Sequence, residues 1–165
     1  MFKIKSKKIF LNLFFIATIF AIDRIFKIYI LNIDELKDGV DIYINQYLNF
    51  YLIWNKGVAF GIFSFDQNYL YNLVSFIICI ICIVLIIMIT KSNKMKKYYL
   101  ILILGGALGN LFDRFYYSAV PDFIDLHIKD FHWFIFNVAD IFITIGVICL
   151  ILDEIFFYKK TDEIN

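Results

Sequence analysis

Residues 70–90 read LYNLVSFIICIICIVLIIMIT, a stretch without one charged side chain. At the helical rise of about 1.5 Å per residue such a run covers the hydrocarbon core of a bilayer, about 30 Å thick. Outward from it lie three more apolar runs of similar length, 9–31, 98–115 and 133–158, each interrupted by charge. The 165 residues are 62% hydrophobic and 20% aromatic, with a mean hydropathy of +0.77. That is more apolar surface than a domain this small can bury, so the excess must face lipid. With one proline and no Gly/Ser-rich linker, the chain is expected to form a single domain over 1–165. The fold class is therefore an all-α membrane protein, a bundle of four transmembrane helices.

Lysines gather between the runs: Lys3, Lys5, Lys7 and Lys8; Lys91, Lys94, Lys96 and Lys97; Lys159 and Lys160. By the positive-inside rule both termini and the middle loop are cytoplasmic, which leaves 32–69 and 116–132 outside. No small-residue cleavage site follows the first run, so it is read as a retained helix. In the longer outer segment, Val40-Asp41-Ile42-Tyr43-Ile44 and Leu48-Asn49-Phe50-Tyr51-Leu52-Ile53-Trp54 are rich in β-branched and aromatic residues, which predicts strands forming a small extracytoplasmic β-like cradle. Trp54, Tyr69, Tyr71, Tyr116, Tyr117 and Trp133 fall where an interfacial belt is expected. A net charge of +1 gives no electrostatic case for nucleic acid; the expected surroundings are membrane lipids. Cys79, Cys82 and Cys149 lie deep in apolar runs, where thiols act as small hydrophobes.

Charged side chains inside a spanning segment cost several kcal/mol unless paired or facing a wet interior. Asp23 and Lys27 are spaced i, i+4 and pair along one face, while Arg24 is expected to point elsewhere and snorkel outward. In the third run, Gly105 and Gly109 offer a small-residue surface for close helix approach. Asn110 and Asp113 share an adjoining face, with Arg114 beside them. Asn137 and Asp140 open the fourth run on one face, where Asp122 can reach Asp140 from the loop above. Two carboxylates so close share a proton, so one acts as base and the other as acid; such a pair activates water against a peptide carbonyl. Competing chemistries lack their signatures. No Cys/His set is spaced for zinc, no glycine loop cradles phosphate, and Ser64, Ser75 and Ser118 have no triad partner. No metal or cofactor is called for, and His127 and His132, beside Trp133, are read as interface residues.

Asp23…Lys27, Asn55-Lys56-Gly57-Val58-Ala59-Phe60, Gly105-Gly106-Ala107-Leu108-Gly109-Asn110-Leu111-Phe112-Asp113-Arg114, Val120-Pro121-Asp122-Phe123 and Phe136-Asn137-Val138-Ala139-Asp140 occur in this order over nearly the whole chain. Together they resemble bacterial lipoprotein signal peptidase, or signal peptidase II. The resemblance implies that Asp122 and Asp140 are the catalytic dyad, and that Asn55, Asn110, Asp113, Arg114 and Asn137 line or brace the site. It also implies that the 55–61 segment, Gly57 included, belongs to the substrate cradle, and that Asp23 and Lys27 are the family's first-helix charged pair. The implied activity is aspartic endopeptidase cleavage of lipid-modified prolipoproteins, on the N-terminal side of the diacylglyceryl-cysteine. The implied place is the bacterial cytoplasmic membrane, with the site toward the outer face. Lys56 and Val58 fill variable positions, and Pro121 departs from the pattern. The alternative is a small proton or ion transporter, since paired intramembrane acids also relay protons. It would need polar residues through the full membrane depth, and 70–90 supplies almost none.

Overall fold

The computed structural model describes residues 2–57, 68–92 and 95–162. Val58, Ala59, Phe60, the rest of the 58–61 cradle, Ser64 and Lys94 lie outside them. The chain runs α1 (Phe2–Lys37), β1 (Asp41–Asn45), β2 (Leu48–Asn55), α2 (Asn68–Lys91), α3 (Met95–Tyr117), β3 (Val120–Ile128), β4 (Phe131–Phe136) and α4 (Val138–Asp162). Two helical segments, Lys8–Lys37 and Tyr71–Lys91, are long and apolar enough to cross a membrane. Many of their large side chains, among them Phe10, Phe14, Phe76, Ile83 and Ile87, are exposed, as lipid-facing residues would be.

The central helix is α3, which packs on α1, α2 and α4. Its glycines make this possible. A Cβ on Gly105 would stand 2.8 Å from the Ile19 side chain, one on Gly109 would stand 2.6 Å from Asp23 Oδ2, and one on Gly106 would stand 2.5 Å from the Ala139 carbonyl oxygen. The small-residue face predicted on this helix therefore receives α1, and Gly106 receives α4. Leu100, Ile101, Ile103, Leu104 and Leu111 of α3 form the apolar core with Ile19, Cys82, Leu85 and Ile89.

The strands form one antiparallel sheet in the order β1-β2-β3-β4. It sits on one end of the bundle, where Phe123 and Val40 pack with Ile30 of α1 and Val138 of α4. The first two strands match their prediction; the sheet is twice as wide as expected because β3 and β4 join it. One expectation is corrected here. The fourth helix was placed over 133–158, but Trp133 to Phe136 belong to β4, paired to β3 through Ile124↔Phe136 and Asp125↔Ile135. Their aromatic, β-branched side chains suit a sheet, and the helix starts only at Val138. Pro121 is accommodated because pairing with β4 begins at Ile124, so among the described residues this part of β3 has strand neighbours on the β2 side alone.

Candidate active site

The start of α4 builds the site. Asn137 is its N-cap: its Oδ1 accepts from the Asp140 N–H at 3.2 Å, and Asp140 Oδ2 accepts from the Asn137 N–H at 3.1 Å. This is the reciprocal capping box, with Asp in the place of the usual Glu. A second acid reaches the same helix end from outside, where Asp23 Oδ1 accepts from the Ala139 N–H at 3.0 Å. Anions are favoured at these otherwise unsatisfied donors.

Asp122 comes from β3. Its Oδ1 accepts from Asn137 Nδ2 at 2.5 Å and its Oδ2 from Asn55 Nδ2 at 2.9 Å. Asp140 Oδ1 accepts from Asn110 Nδ2 at 2.8 Å. Asn137 thus joins the two acids, donating its side-chain N–H to one and its backbone N–H to the other. Both carboxylates are almost fully buried. Asp122 and Asp140, with Asn55, Asn110, Arg114 and Asn137, line one end of a cavity of ≈ 610 Å³ whose remaining walls are mainly aliphatic side chains of α2, α3 and α4, such as Ile78, Ile81, Ile103 and Val147. Burial, and then the charge of Asp140, push the Asp122 carboxyl up to about 7, against the opposing hydrogen bonds from Asn55 and Asn137. Near neutral pH one proton can therefore reside on this group.

A different kind of polar cluster lies alongside. Lys27 Nζ contacts Asp23 Oδ2 at 2.9 Å and Asp113 Oδ2 at 2.6 Å, and donates to Asn110 Oδ1 at 2.8 Å. Arg24 completes it, 3.0 Å from Asp23 Oδ2 and 2.6 Å from Asp113 Oδ1. The outward-snorkelling expectation for Arg24 is overturned: it is 8% exposed and turns inward because α3 supplies a second carboxylate, with its guanidinium 5.0 Å from the Phe112 ring centroid. Asp23, Lys27 and Asp113 are thus one step removed from the cavity, joined to it through Asn110 and the Ala139 N–H. Arg114 instead lines the cavity. It donates to the Gly57 carbonyl and lies 5.3 Å from the Tyr71 ring centroid. The Gly57 N–H closes a turn onto Asn55 Oδ1 at 2.8 Å, so Arg114 and Asn55 together fix this end of β2.

Sequence reasoning missed one more cluster. Asp125, 3% exposed, accepts from His132 Nδ1 at 2.9 Å, with His127 Nδ1 3.6 Å away. The cross-strand pairing His127↔His132 brings these rings together, and no local spacing foretells it.

An apolar bundle with two buried acids lining one largely aliphatic cavity has the make-up of a membrane-embedded enzyme. A bacterial membrane enzyme solved by the in meso method at 2.3 Å has the same fold, with a TM-score of 0.72 and 29% identity over 93% of this chain and 90% of that one. The sequence model described as signal peptidase (SPase) II matches residues 15–156. The lipoprotein signal peptidase of Pelagibacter ubique (strain HTCC1062) is 55% identical over 164 residues, 99% of each chain. That of Coxiella burnetii (strain RSA 331 / Henzerling II) is 39% identical over 151 residues, 90% of this chain and 91% of its own. This chain belongs to the signal peptidase II family of membrane peptidases.

Proposed function

We propose that this protein removes signal peptides from lipid-modified prolipoproteins as an aspartic endopeptidase, with Asp122 and Asp140 as the catalytic pair and the scissile bond on the N-terminal side of the diacylglyceryl-cysteine. The observation that carries this reading is the pairing itself. Two buried carboxylates face one cavity, and their hydrogen bonds come from amides and backbone N–H groups. One carboxylate takes a proton from water as the water oxygen attacks the peptide carbonyl, and the other gives its proton to the carbonyl oxygen. On collapse the first passes the water's proton to the leaving amine and the second regains its own from the tetrahedral hydroxyl. Asn55 and Asn137 set the orientation of Asp122, and Asn110 sets that of Asp140. The Nε and Nη1 atoms of Arg114 are buried and without a hydrogen-bond partner among the described residues, so they supply donors to a substrate carbonyl. The aliphatic walls suit the apolar signal peptide and acyl chains.

The whole chain acts as one domain of four membrane-spanning helices in the bacterial cytoplasmic membrane, surrounded by lipid. Both termini are cytoplasmic, and the sheet and the acid pair lie toward the outer face, as the lysine clusters direct. Membership of a peptidase family sets the transporter alternative aside. Purified protein in detergent should cleave a lipid-modified prolipoprotein and leave its unlipidated form intact; equal cleavage of both would remove the lipid requirement. A cysteine placed at position 94 should resist impermeant reagents added to intact cells, and labelling there would reverse the topology.

A further inference from the structure

The β3–β4 hairpin holds three metal-ligating side chains that the peptidase chemistry does not use. Asp125 carries a side chain 5% exposed, and its Oδ1 and Oδ2 lie 3.1 and 2.9 Å from His132 Nδ1. The second imidazole, His127, has a side chain 10% exposed and its Nδ1 3.6 Å from Asp125 Oδ2. That Nδ1 is buried and makes no hydrogen bond among the described residues. The two rings stack with centroids 5.0 Å apart and planes inclined by 26°. Across the sheet, Asn49 pairs with Asp125, and its buried Oδ1 also lacks a hydrogen-bond partner among the described residues.

A buried polar atom left unbonded costs about 1–3 kcal/mol. Two of them beside a buried carboxylate need an explanation, and a cation supplies one. One ligand atom each from Asp125, His127 and His132 can be chosen so that all three lie within 4.8 Å of one another. Around tetrahedral zinc, with ligand bonds of about 2.0–2.1 Å, neighbouring donors stand about 3.3 Å apart; the Nδ1–carboxylate separations of 2.9 and 3.6 Å bracket that value. Two imidazoles and one carboxylate select a borderline transition cation over Mg²⁺ or Ca²⁺, which favour all-oxygen sets. We propose that Asp125, His127 and His132 form a Zn²⁺-type binding site on the β3–β4 hairpin. The half-exposed His132 gives the ion access, and a bound ion clips together the strand that carries Asp122 and the strand that runs into Asn137.

The test uses the full-length chain in detergent, without a polyhistidine tag and stripped with chelator. Titration with ZnCl₂ against a chromophoric chelator should show one tight equivalent per chain, and saturating Zn²⁺ should raise the thermal midpoint by about 5 °C, while MgCl₂ leaves it unmoved. His132→Asn, at the exposed ligand and so tolerated by the fold, and Asp125→Asn should each weaken Zn²⁺ binding by about 100-fold or more. A Cys79→Ala/Cys82→Ala/Cys149→Ala variant should bind as the parent does. Failure to bind Zn²⁺, undiminished binding by His132→Asn, or loss of binding in the cysteine-free variant would each overturn the assignment.

Discussion

Two groups of buried acids lie side by side in this bundle and are treated in opposite ways. Asp23 and Asp113 are matched by Arg24 and Lys27, two acids to two bases, at 2.6–3.0 Å. Asp122 and Asp140 receive amide and backbone N–H donors and, among the described residues, no ion pair. A carboxylate bonded to cations is held in a fixed geometry by charge-assisted hydrogen bonds. One held by neutral donors keeps its orientation and can still gain or lose a proton. The two groups differ in the partners of their acids, cations in one and neutral donors in the other, more than in depth.

The comparison breaks most visibly at the reactive pair. Asp122→Asn and Asp140→Asn should each reduce prolipoprotein cleavage by about 10³-fold or more while the protein remains inserted and abundant, as gel-based processing assays and membrane yields would read. Substantial turnover by either variant rejects the pair. At the scaffold cluster the expected loss is of the fold. Lys27→Met leaves two buried acids to a single Arg24, which should cost about 3–5 kcal/mol and lower the detergent midpoint; a midpoint at the parent's value would show that the cluster does not hold the bundle.

Gly109→Ala is a smaller version of the same test. Its new methyl would meet Asp23 Oδ2, and separating α1 from α3 there should cost about 1–3 kcal/mol, measured by thermal unfolding. The smallest effect is one of pH. Asp122 titrates near 7, so activity should fall as pH rises through that range, when the pair loses its shared proton. The Asn55 hydrogen bond favours the ionised form and lowers this value. Asn55→Ala should therefore move the alkaline limb upward, by about one pH unit or less, in a profile of kcat/KM. A downward movement contradicts the arrangement.

The helices were legible because uninterrupted apolarity is a long-range signal that needs no partner, and β1 and β2 because their composition changes sharply at Val40. β4 was not legible. Phe131 to Phe136 are as apolar as the helix they precede, so hydropathy runs across the boundary. The readable mark was the Asn137-x-x-Asp140 cap, which dates the helix start to Val138. Arg24 went astray for another reason: helical spacing turns it away from its chain neighbour Asp23, and the carboxylate that draws it inward lies 89 residues later at Asp113. The residues around the acid pair were readable as a motif set. Their division into amide-held and cation-held acids was not, because it depends on which face of α3 meets α1 and which meets α4. Asp125, His127 and His132 converge only through strand register.

The bond from the Ala139 N–H to Asp23 Oδ1 ties α1 to α4. α1 precedes α4 in the chain, so the carboxylate that receives the start of α4 is synthesised before that helix is. A nascent chain stalled before position 138 would therefore hold Asp122 without Asp140.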